Sequence, residues 1–249
     1  MEPKYHIAMK SIAGTRDEQQ DSSFYHADKN YVFAVICDGM GGMDEGHIAS
    51  FMTVEKIKSL YFAKNEFEDY PSFFLRIVDI LDENVMFLKN CDGKRISSGT
   101  TIVTAAIEDD KLFWLSVGDS RLYLIRNNEI VQVTRDHNYF MDLNKLKKDN
   151  KINQNQYETE SKKGDALISF IGMGGIQIMD INKQPFRLIK GDTVLLTSDG
   201  LYKALTNEEI LILLKNDNIE ISANNLMEKS VEKSMIFQDN TTFIVIRYF

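Results

Sequence analysis

The sequence predicts an α+β fold in which antiparallel β-sheets are covered by helices in three or four layers. Helix-period segments come in consecutive pairs, and strand-period segments come as hairpins with short polar turns. A doubly wound parallel sheet would instead show strands and helices in regular alternation. The chain has 249 residues, of which 43% are hydrophobic, and it has no linker rich in Pro, Gly or Ser. We therefore expect one domain over residues 1–249 with a sizeable core.

The first third of the chain is predicted to hold three strands and then two helices. The strands cover residues 5–9, 23–25 and 31–37, with a turn at 28–30. A helix is predicted over 44–64 and a second over about 71–89, where Pro71 suits the first turn. The residues expected on the buried helix faces are Ile48, Phe51, Met52, Ile57 and Leu60 in the first helix, and Phe74, Leu75, Val78, Leu81, Val85 and Leu88 in the second.

The rest of the chain is predicted to be mostly strands, followed by two helices and a last strand. Hairpins are expected at 100–107 with 112–117, at 122–126 with 129–133, and at 188–189 with 193–197. Thr206 and Glu209 form a capping box that opens a short helix to about residue 214. A helix over about 222–234 and a strand over 242–248 complete the chain. Residues 138–165 are polar and locally basic, and could form short helices over a strand edge.

Composition excludes several classes of function. The formal net charge of −8 disfavours nucleic acid as the main partner. The two cysteines, Cys37 and Cys91, suggest no disulfide framework, so we expect a reducing, cytoplasmic setting. The N-terminus lacks a signal-peptide core, and no apolar run approaches the roughly 18 residues of a membrane span. We expect no membrane association and a monomer.

Four aspartates lie at the ends of apolar, strand-like segments, namely Asp38, Asp119, Asp199 and Asp239. A strand that ends in Asp-Gly would deliver a carboxylate to the rim of a sheet, on a turn that glycine permits. Several carboxylates at one rim repel each other, and hard divalent cations such as Mg²⁺ or Mn²⁺ remove that repulsion. One such pair is more often an ordinary loop, but four of them predict a metal-centred hydrolytic site.

Other kinds of hydrolytic site lack their required residues. A cysteine phosphatase needs Arg six positions after its Cys, where this chain has Met43 and Ser97. The chain has no His-Glu-x-x-His motif, no Gly-x-Ser-x-Gly motif and only four scattered histidines. The Gly41 to Gly46 spacing resembles a phosphate loop without its Lys. An oxygen-ligand cluster remains, to which Asp21 can be added. Arg16 lies nearby in sequence and has the planar fork that suits a phosphate ester.

Seven segments, in order along nearly the whole chain, resemble the motifs of the metal-dependent protein phosphatases of the protein phosphatase 2C type, especially compact bacterial members. Each segment alone is a weak signal, but seven in one order are specific. The segments are Gly14-Thr-Arg16-Asp-Glu-Gln-Gln-Asp21, Asp38-Gly39-Met40-Gly41-Gly42, Ser98-Gly99-Thr100-Thr101, Gly118-Asp119-Ser120-Arg121, Thr134-Arg-Asp136-His137, Ser198-Asp199-Gly200-Leu201 and Asp239-Asn240-x-Thr242.

The resemblance implies a four-layer αββα sandwich, in which two antiparallel β-sheets are flanked by pairs of helices, with a flap at about 138–165 beside the active site. It also implies two Mn²⁺ or Mg²⁺ ions in a core site and a weaker third site. The resemblance also implies a role for each site residue. Asp38 would bridge both ions, Asp199 and Asp239 would complete the ligands of one ion, and the Gly39 carbonyl would be a ligand of the other. Asp21 would hold water ligands, Asp119 would serve the third site, Arg16 would bind the substrate phosphate, and Gln20 and Asn240 would support the ligands.

Two positions depart from or vary within the family pattern. Gln20 stands where the family has Glu, so metal affinity or the pH optimum could differ. Met40 stands where animal relatives have a His thought to protonate the leaving group; bacterial relatives share the Met.

The implied reaction is hydrolysis of phosphoserine or phosphothreonine in proteins that a serine/threonine kinase has phosphorylated. A water or hydroxide bridging two metals would attack phosphorus in line, with no covalent enzyme intermediate. Two alternatives stay open. One is a catalytically weak phosphatase-like binding module, for which Gln20 is the best support. The other is a phosphohydrolase of a small phosphorylated molecule.

Overall fold

The structure is a computed structural model that describes residues 4–41, 45–89 and 92–249. Gly42 of the second motif, Asp44 at the start of the predicted first helix, and Cys91 lie outside the described residues. Within those ranges the strands are β1 (Tyr5–Ile12), β2 (Asp21–Ala27), β3 (Tyr31–Gly41), β4 (Ser98–Thr100), β5 (Ile102–Glu108), β6 (Lys111–Val117), β7 (Arg121–Arg126), β8 (Glu129–Gln132), β9 (Asp180–Ile181), β10 (Phe186–Arg187), β11 (Thr193–Thr197) and β12 (Thr241–Tyr248).

The helices of the described ranges fall into three groups. Two of them follow β3, two shorter ones follow β8, and three lie around β11 and β12. Their bounds are α1 (Glu45–Phe62), α2 (Tyr70–Met86), α3 (Tyr139–Lys148), α4 (Gln154–Glu160), α5 (Asp199–Ala204), α6 (Asn207–Leu213) and α7 (Ile219–Lys233), and a 3₁₀ turn at Ser161–Lys163 follows α4. No helix within the described ranges is both long enough and apolar enough to cross a lipid bilayer.

Two antiparallel sheets form the middle of the molecule. One has the order β1-β12-β11-β7-β8, and the other has the order β10-β6-β5-β3-β2, with β4 added on β3 and β9 on β6. The Asn127-Asn128 turn between β7 and β8 has both residues at positive φ, 52° and 61°, which suits a two-residue hairpin. The α+β class and the antiparallel pairing are therefore confirmed.

Strand β3 shows how the layers are held together. Successive side chains of a strand point to opposite faces. Val32, Ala34 and Ile36 lie in the core between the two sheets, whereas Phe33 and Val35 lie in the core under α1 and α2. A third core packs α5, α6 and α7 on the outer face of the other sheet. Both faces of both sheets are thus covered, which confirms the αββα sandwich, with three helices rather than a pair on the second side.

The predicted buried face of α1 is partly wrong. Ile48 and Phe51 are 37% and 49% exposed, and the buried positions next to them are Ala49, Ser50 and Thr53. Small residues let α1 approach β2 and β3 closely, and the Ser50 hydroxyl donates to the carbonyl of Gln20 at 2.5 Å. In α2 the expected stripe is buried except Leu75, which is 54% exposed, and Leu88, which lies beyond the end of the helix.

The predicted hairpin of 188–189 with 193–197 is wrong. Strand β10 pairs with β6 in one sheet, whereas β11 lies between β12 and β7 in the other. The turn between them, with Gly191 at φ +95°, carries the chain from one sheet to the other. Asp192 fixes this crossing, because its carboxylate accepts from the Arg126 guanidinium at 2.6 Å and from the Ile189 N–H at 2.8 Å.

The other predicted elements agree with the structure apart from shifted ends. The capping box of Thr206 and Glu209 is present at the start of α6. Residues 138–165 form α3 and α4, the short helices expected there.

Candidate metal centre

An open cleft of about 580 Å³ lies at one rim of the two sheets. Acidic side chains from three distant parts of the chain meet there, because antiparallel strands of both sheets end at this rim. Asp38 comes from β3, Asp199 from the start of α5, and Asp239 from the segment before β12. The cleft is lined by Arg16, Asp17, Glu18, Gln20, Asp38, Gly39, Met40, Gly41, Asp199, Asp239 and Asn240.

Asp38 occupies the interior of a strand and not the turn expected from its Asp-Gly pair. β3 continues to Gly41, and Asp38 faces Asp21 directly across the β2–β3 ladder. The Asp38 N–H donates to the Thr101 hydroxyl at 3.0 Å, and the Asp38 carbonyl accepts from the Thr101 N–H at 2.9 Å. The carboxylate is therefore held on a backbone that is fixed on both sides.

The glycines after Asp38 and Asp199 are required by close approach rather than by a turn. A Cβ on Gly39 would lie 2.1 Å from the carbonyl oxygen of Gly46 at the start of α1. A Cβ on Gly200, inside α5, would lie 2.2 Å from the carbonyl oxygen of Asn240. The two glycines thus let separate segments close around the cleft. The sequence prediction had expected these glycines to make turns, whereas the structure places them at close contacts.

Asn240 connects the loop that carries Arg16 to the loop that carries Asp239. Its side-chain oxygen accepts from the Gln20 N–H at 2.8 Å, and its amide nitrogen donates to the carbonyls of Ala13 and Glu18. Because all three partners belong to residues 13–20, Asn240 holds the shape of this loop without contributing charge. This agrees with a supporting role for Asn240, which remains a prediction.

Three aspartates at or near the cleft have raised pKa values. Burial raises the pKa of Asp21 to about 7, against the opposing effect of hydrogen bonds from Ser198 and Thr242. Burial, and then the charges of Asp21 and Asp199, raise the pKa of Asp38 well above its usual range. Burial and Asp199 raise the pKa of Asp119 to about 6. Such a concentration of mutually repelling carboxyls is typical of functional sites.

The residues present fit divalent cations. Asp21 is buried, and although its Oδ2 accepts from the Ser198 hydroxyl at 2.7 Å, its Oδ1 has no hydrogen-bond partner. A buried carboxylate oxygen without a partner is costly unless a cation or water satisfies it. All the acidic donors are oxygen ligands, which Mg²⁺ and Mn²⁺ prefer.

Two basic side chains of this chain hold the carboxylates nearest the opening. Arg16 Nη2 lies 2.8 Å from Asp239 Oδ2, and Lys203 Nζ lies 2.5 Å from Asp199 Oδ2. Across the described residues, no three Asp, Glu, His or Cys side chains converge closely enough to form a complete set of metal ligands as they stand. Binding of an ion would therefore require the carboxylates to move toward a common point.

The structure brings most of the predicted site residues to one cleft. Arg16, Gln20, Asp38, Gly39, Asp199, Asp239 and Asn240 line it. Asp21, opposite Asp38 on the neighbouring strand, is 5% exposed, and Asp119, which does not line the cleft, is 7% exposed. The metal and phosphate roles of all these residues stay predictions.

Sequence reasoning missed two residues at the site. Ser198 is fully buried and donates to Asp21, and Lys203 pairs with Asp199. The spacing of four between Asp199 and Lys203 on a helix was the available signal for the ion pair. Ser198 could have been found from its place directly before Asp199 at the end of a buried strand.

Comparison with known proteins gives one family. The model of the family described as "Protein phosphatase 2C" matches residues 5–142, which is more than half of the chain. The serine/threonine phosphatase stp of Listeria welshimeri is 26% identical over 225 residues, covering 87% of this chain and 84% of that protein.

Solved structures give the same fold. The serine/threonine phosphatase of S. agalactiae superposes with a TM-score of 0.84 at 25% identity, covering 98% of this chain and 100% of that one. The catalytic domain of the serine/threonine protein phosphatase PstP, a structure in complex with two manganese ions, superposes with a TM-score of 0.75 at 24% identity, covering 98% and 97%.

Proposed function

The chain belongs to the protein phosphatase 2C family and is a protein serine/threonine phosphatase, and we propose that it hydrolyses phosphoserine and phosphothreonine by direct attack of water activated at two divalent cations. The observation that supports this most is the meeting of Asp38, Asp199 and Asp239 with Arg16 in one cleft. Its acidic lining would repel a phosphate dianion unless cations neutralised it.

Five residues of the chain are proposed to hold the ions and their waters. The carboxylate of Asp38, held in the middle of a fixed strand, is suited to bridge both ions. Asp199 and Asp239 would complete the ligands of one ion, and the Gly39 carbonyl would be a ligand of the other. Asp21, opposite Asp38 on the neighbouring strand, would hold water ligands. When bound, two such ions can lower the pKa of a water from 15.7 to roughly 7 and neutralise charge on the phosphoryl oxygens.

Arg16 is proposed to bind and orient the substrate phosphate. Its side chain is 62% exposed at the opening of the cleft, and its contact with Asp239 uses one of the two terminal nitrogens. A guanidinium has five N–H donors in a planar fork, so the remaining donors suffice for two phosphate oxygens. Arg16 would thus hold the phosphate beside the carboxylates without taking part in proton transfer.

Gln20 and the metal identity are parts of the same proposal. Gln20 lies in the cleft, where its side-chain oxygen can accept from a water but adds no charge. We propose Mn²⁺ as the first ion to test, because PstP, a protein of the same fold, holds two manganese ions. We also propose phosphorylated proteins as substrates, a monomer with no nucleic-acid or membrane partner, and a cytoplasmic location.

The experiment is Mn²⁺-dependent release of phosphate from a phosphothreonine peptide. The wild type is expected to be active only with the added ion. Asp38→Asn is expected to lower kcat/KM by about 10³-fold or more, because it removes the bridging charge. Asp79→Asn, on the exposed side of α2, is the matched control for loss of one aspartate and should leave the rate unchanged. Gln20→Glu measured beside them shows what the missing charge changes.

The outcomes separate the alternatives. Release from the peptide supports a protein phosphatase. Release only from small phosphate esters would favour a small-molecule phosphohydrolase. A wild-type protein that is folded, supplied with Mn²⁺ or Mg²⁺, and inactive on every phosphorylated substrate would contradict the proposal and favour a binding module.

A further inference from the structure

Lys203 lies one helical turn after Asp199 on α5, and its ammonium group is held at the acidic cluster. The Nζ atom lies 2.5 Å from Asp199 Oδ2. Burial acts against the Lys203 charge, but Asp199, Asp119 and Asp165 together raise its pKa. The Lys203 ammonium group therefore contacts Asp199 and lies within electrostatic reach of Asp119 and Asp165.

The position of Lys203 is fixed by its neighbour in the helix. The Tyr202 hydroxyl donates to the backbone carbonyl of Asp119 at 3.1 Å. The guanidinium of Arg121, two residues after Asp119, lies 3.5 Å from the centre of the Tyr202 ring. These contacts tie α5, and Lys203 with it, to the loop that carries Asp119.

Asp119 itself is in a fixed place. The preceding Gly118 has φ +103°, and a Cβ there would lie 2.6 Å from the Thr101 side chain. The loop therefore packs closely against Thr101, which lies between β4 and β5. Asp119 is 7% exposed, and the nearby charge of Lys203 lowers its pKa against the stronger effects of burial and Asp199. The Lys203 charge thus lies close enough to act on the buried Asp119 carboxylate.

We propose that the ammonium group of Lys203 takes the place that a third divalent cation would need between Asp119 and Asp199, so that this chain binds two metal ions and not three. The inference rests on the proposed two-metal site, and it replaces the third site that the sequence suggested for Asp119. A tethered ammonium loses no translational freedom on binding, and a divalent ion entering beside it would meet like-charge repulsion.

A second consequence concerns the two ions of the core site. Lys203 holds Asp199, which is one of their proposed ligands, and its positive charge is close to them. Removing the charge should therefore strengthen binding of the core ions as well as open a third position. We expect the effect on the core ions to be about tenfold in dissociation constant.

The test is the number of Mn²⁺ ions bound by protein first freed of metal with EDTA, counted by native mass spectrometry and titration calorimetry. The wild type and Lys203→Arg, which keeps the charge, are expected to bind two ions. Lys203→Gln is expected to bind a third, weaker ion, and the double variant with Asp119→Asn to lose it again. Lys229→Gln is the matched control, because it removes an exposed lysine paired with Glu232 on α7.

Three results would overturn the inference. A wild type that binds three ions would show that Lys203 does not exclude one. A Lys203→Gln protein that still binds two ions, with a folded circular dichroism spectrum, would show that its charge is not what limits the number; Lys203→Met serves as a second variant should Gln fail to fold. A wild type that binds no Mn²⁺ at all would overturn the two-metal site and this inference with it.

Discussion

Asp21 and Asp38 are carboxylic acids that folding places next to each other, which is unfavourable when both are charged. They face each other across the β2–β3 ladder, and burial keeps the pKa of each above its usual range. A carboxyl with a raised pKa keeps its proton in the folded state at a pH where the unfolded chain has released it. The folded state is therefore destabilised as pH rises, and a cation at this place would reverse the effect.

Asp21→Asn tests this at a single position. In EDTA, the Asp21 carboxyl of the wild type titrates at about 7 when folded and at about 3.8 when unfolded, so this residue's contribution to stability falls as pH rises from about 4 to 7. The variant lacks this titration. The free energy of unfolding of wild type minus variant should fall by on the order of 2–4 kcal/mol across that window.

Urea unfolding at several pH values measures the difference, and adding Mn²⁺ at pH 7 should restore stability to the wild type more than to Asp21→Asn. A difference that stays constant with pH, or grows as pH rises, would contradict the raised pKa.

Some residues of the site could be identified from the sequence alone and others could not. Asp38, Asp199 and Asp239 were found because each lies at or near the end of a buried run, and that pattern survives folding. Lys203 was not found, since one lysine on a six-residue helix resembles any exposed lysine until the neighbouring loop is known. The reason for Gly39 and Gly200 was also out of reach, because it depends on segments far away in sequence.

At the level of elements, α2 is joined to the loop after residue 171 by one buried carboxylate. Asp82 accepts from the N–H groups of Gly172, Gly174 and Gly175, at 2.7, 3.3 and 2.6 Å. Gly172 and Gly174 have φ of +102° and +84°, a conformation that favours glycine. The loop and the helix therefore form a single unit, on the side of the molecule that carries α1 and α2.

Asp82→Ala should lower the free energy of unfolding by about 1–3 kcal/mol, because three backbone N–H groups lose an acceptor that is itself only 4% exposed. Asp79→Ala, on the exposed side of the same helix, is the control and should change it by less than about 0.5 kcal/mol. Thermal or urea unfolding of both variants measures this. Equal stability of the two variants would show that Asp82 is not needed to hold the loop.

The sequence predicted where α1 lies along the chain but not which of its faces is buried. α1 begins and ends within two residues of the predicted bounds, but its buried face uses Ala49, Ser50 and Thr53 instead of Phe51. Periodicity finds large apolar residues, whereas this interface selects small ones. The pairing of 188–189 with 193–197 failed for a related reason, since a short turn predicts a hairpin and only the whole sandwich shows a crossing between sheets.

For the whole molecule, the stacking of two antiparallel sheets explains how distant residues form one site. Strands from both sheets end at the same rim, and the close contacts of Gly39 with Gly46 and of Gly200 with Asn240 draw the connecting segments together there. Composition and hairpins were enough to predict the α+β class. The four strand-end aspartates predicted that acidic residues meet at one rim, and the family resemblance then implied a role for each of them.

The central claim is that these converging carboxylates hold a pair of cations, and anomalous X-ray diffraction from crystals grown with Mn²⁺ tests it most directly. The account predicts two anomalous peaks about 3.5–4 Å apart, both within bonding distance of Asp38, with Asp199 and Asp239 on one of them. Peaks that do not contact Asp38, or crystals saturated with Mn²⁺ that show no peak in the cleft, would contradict it.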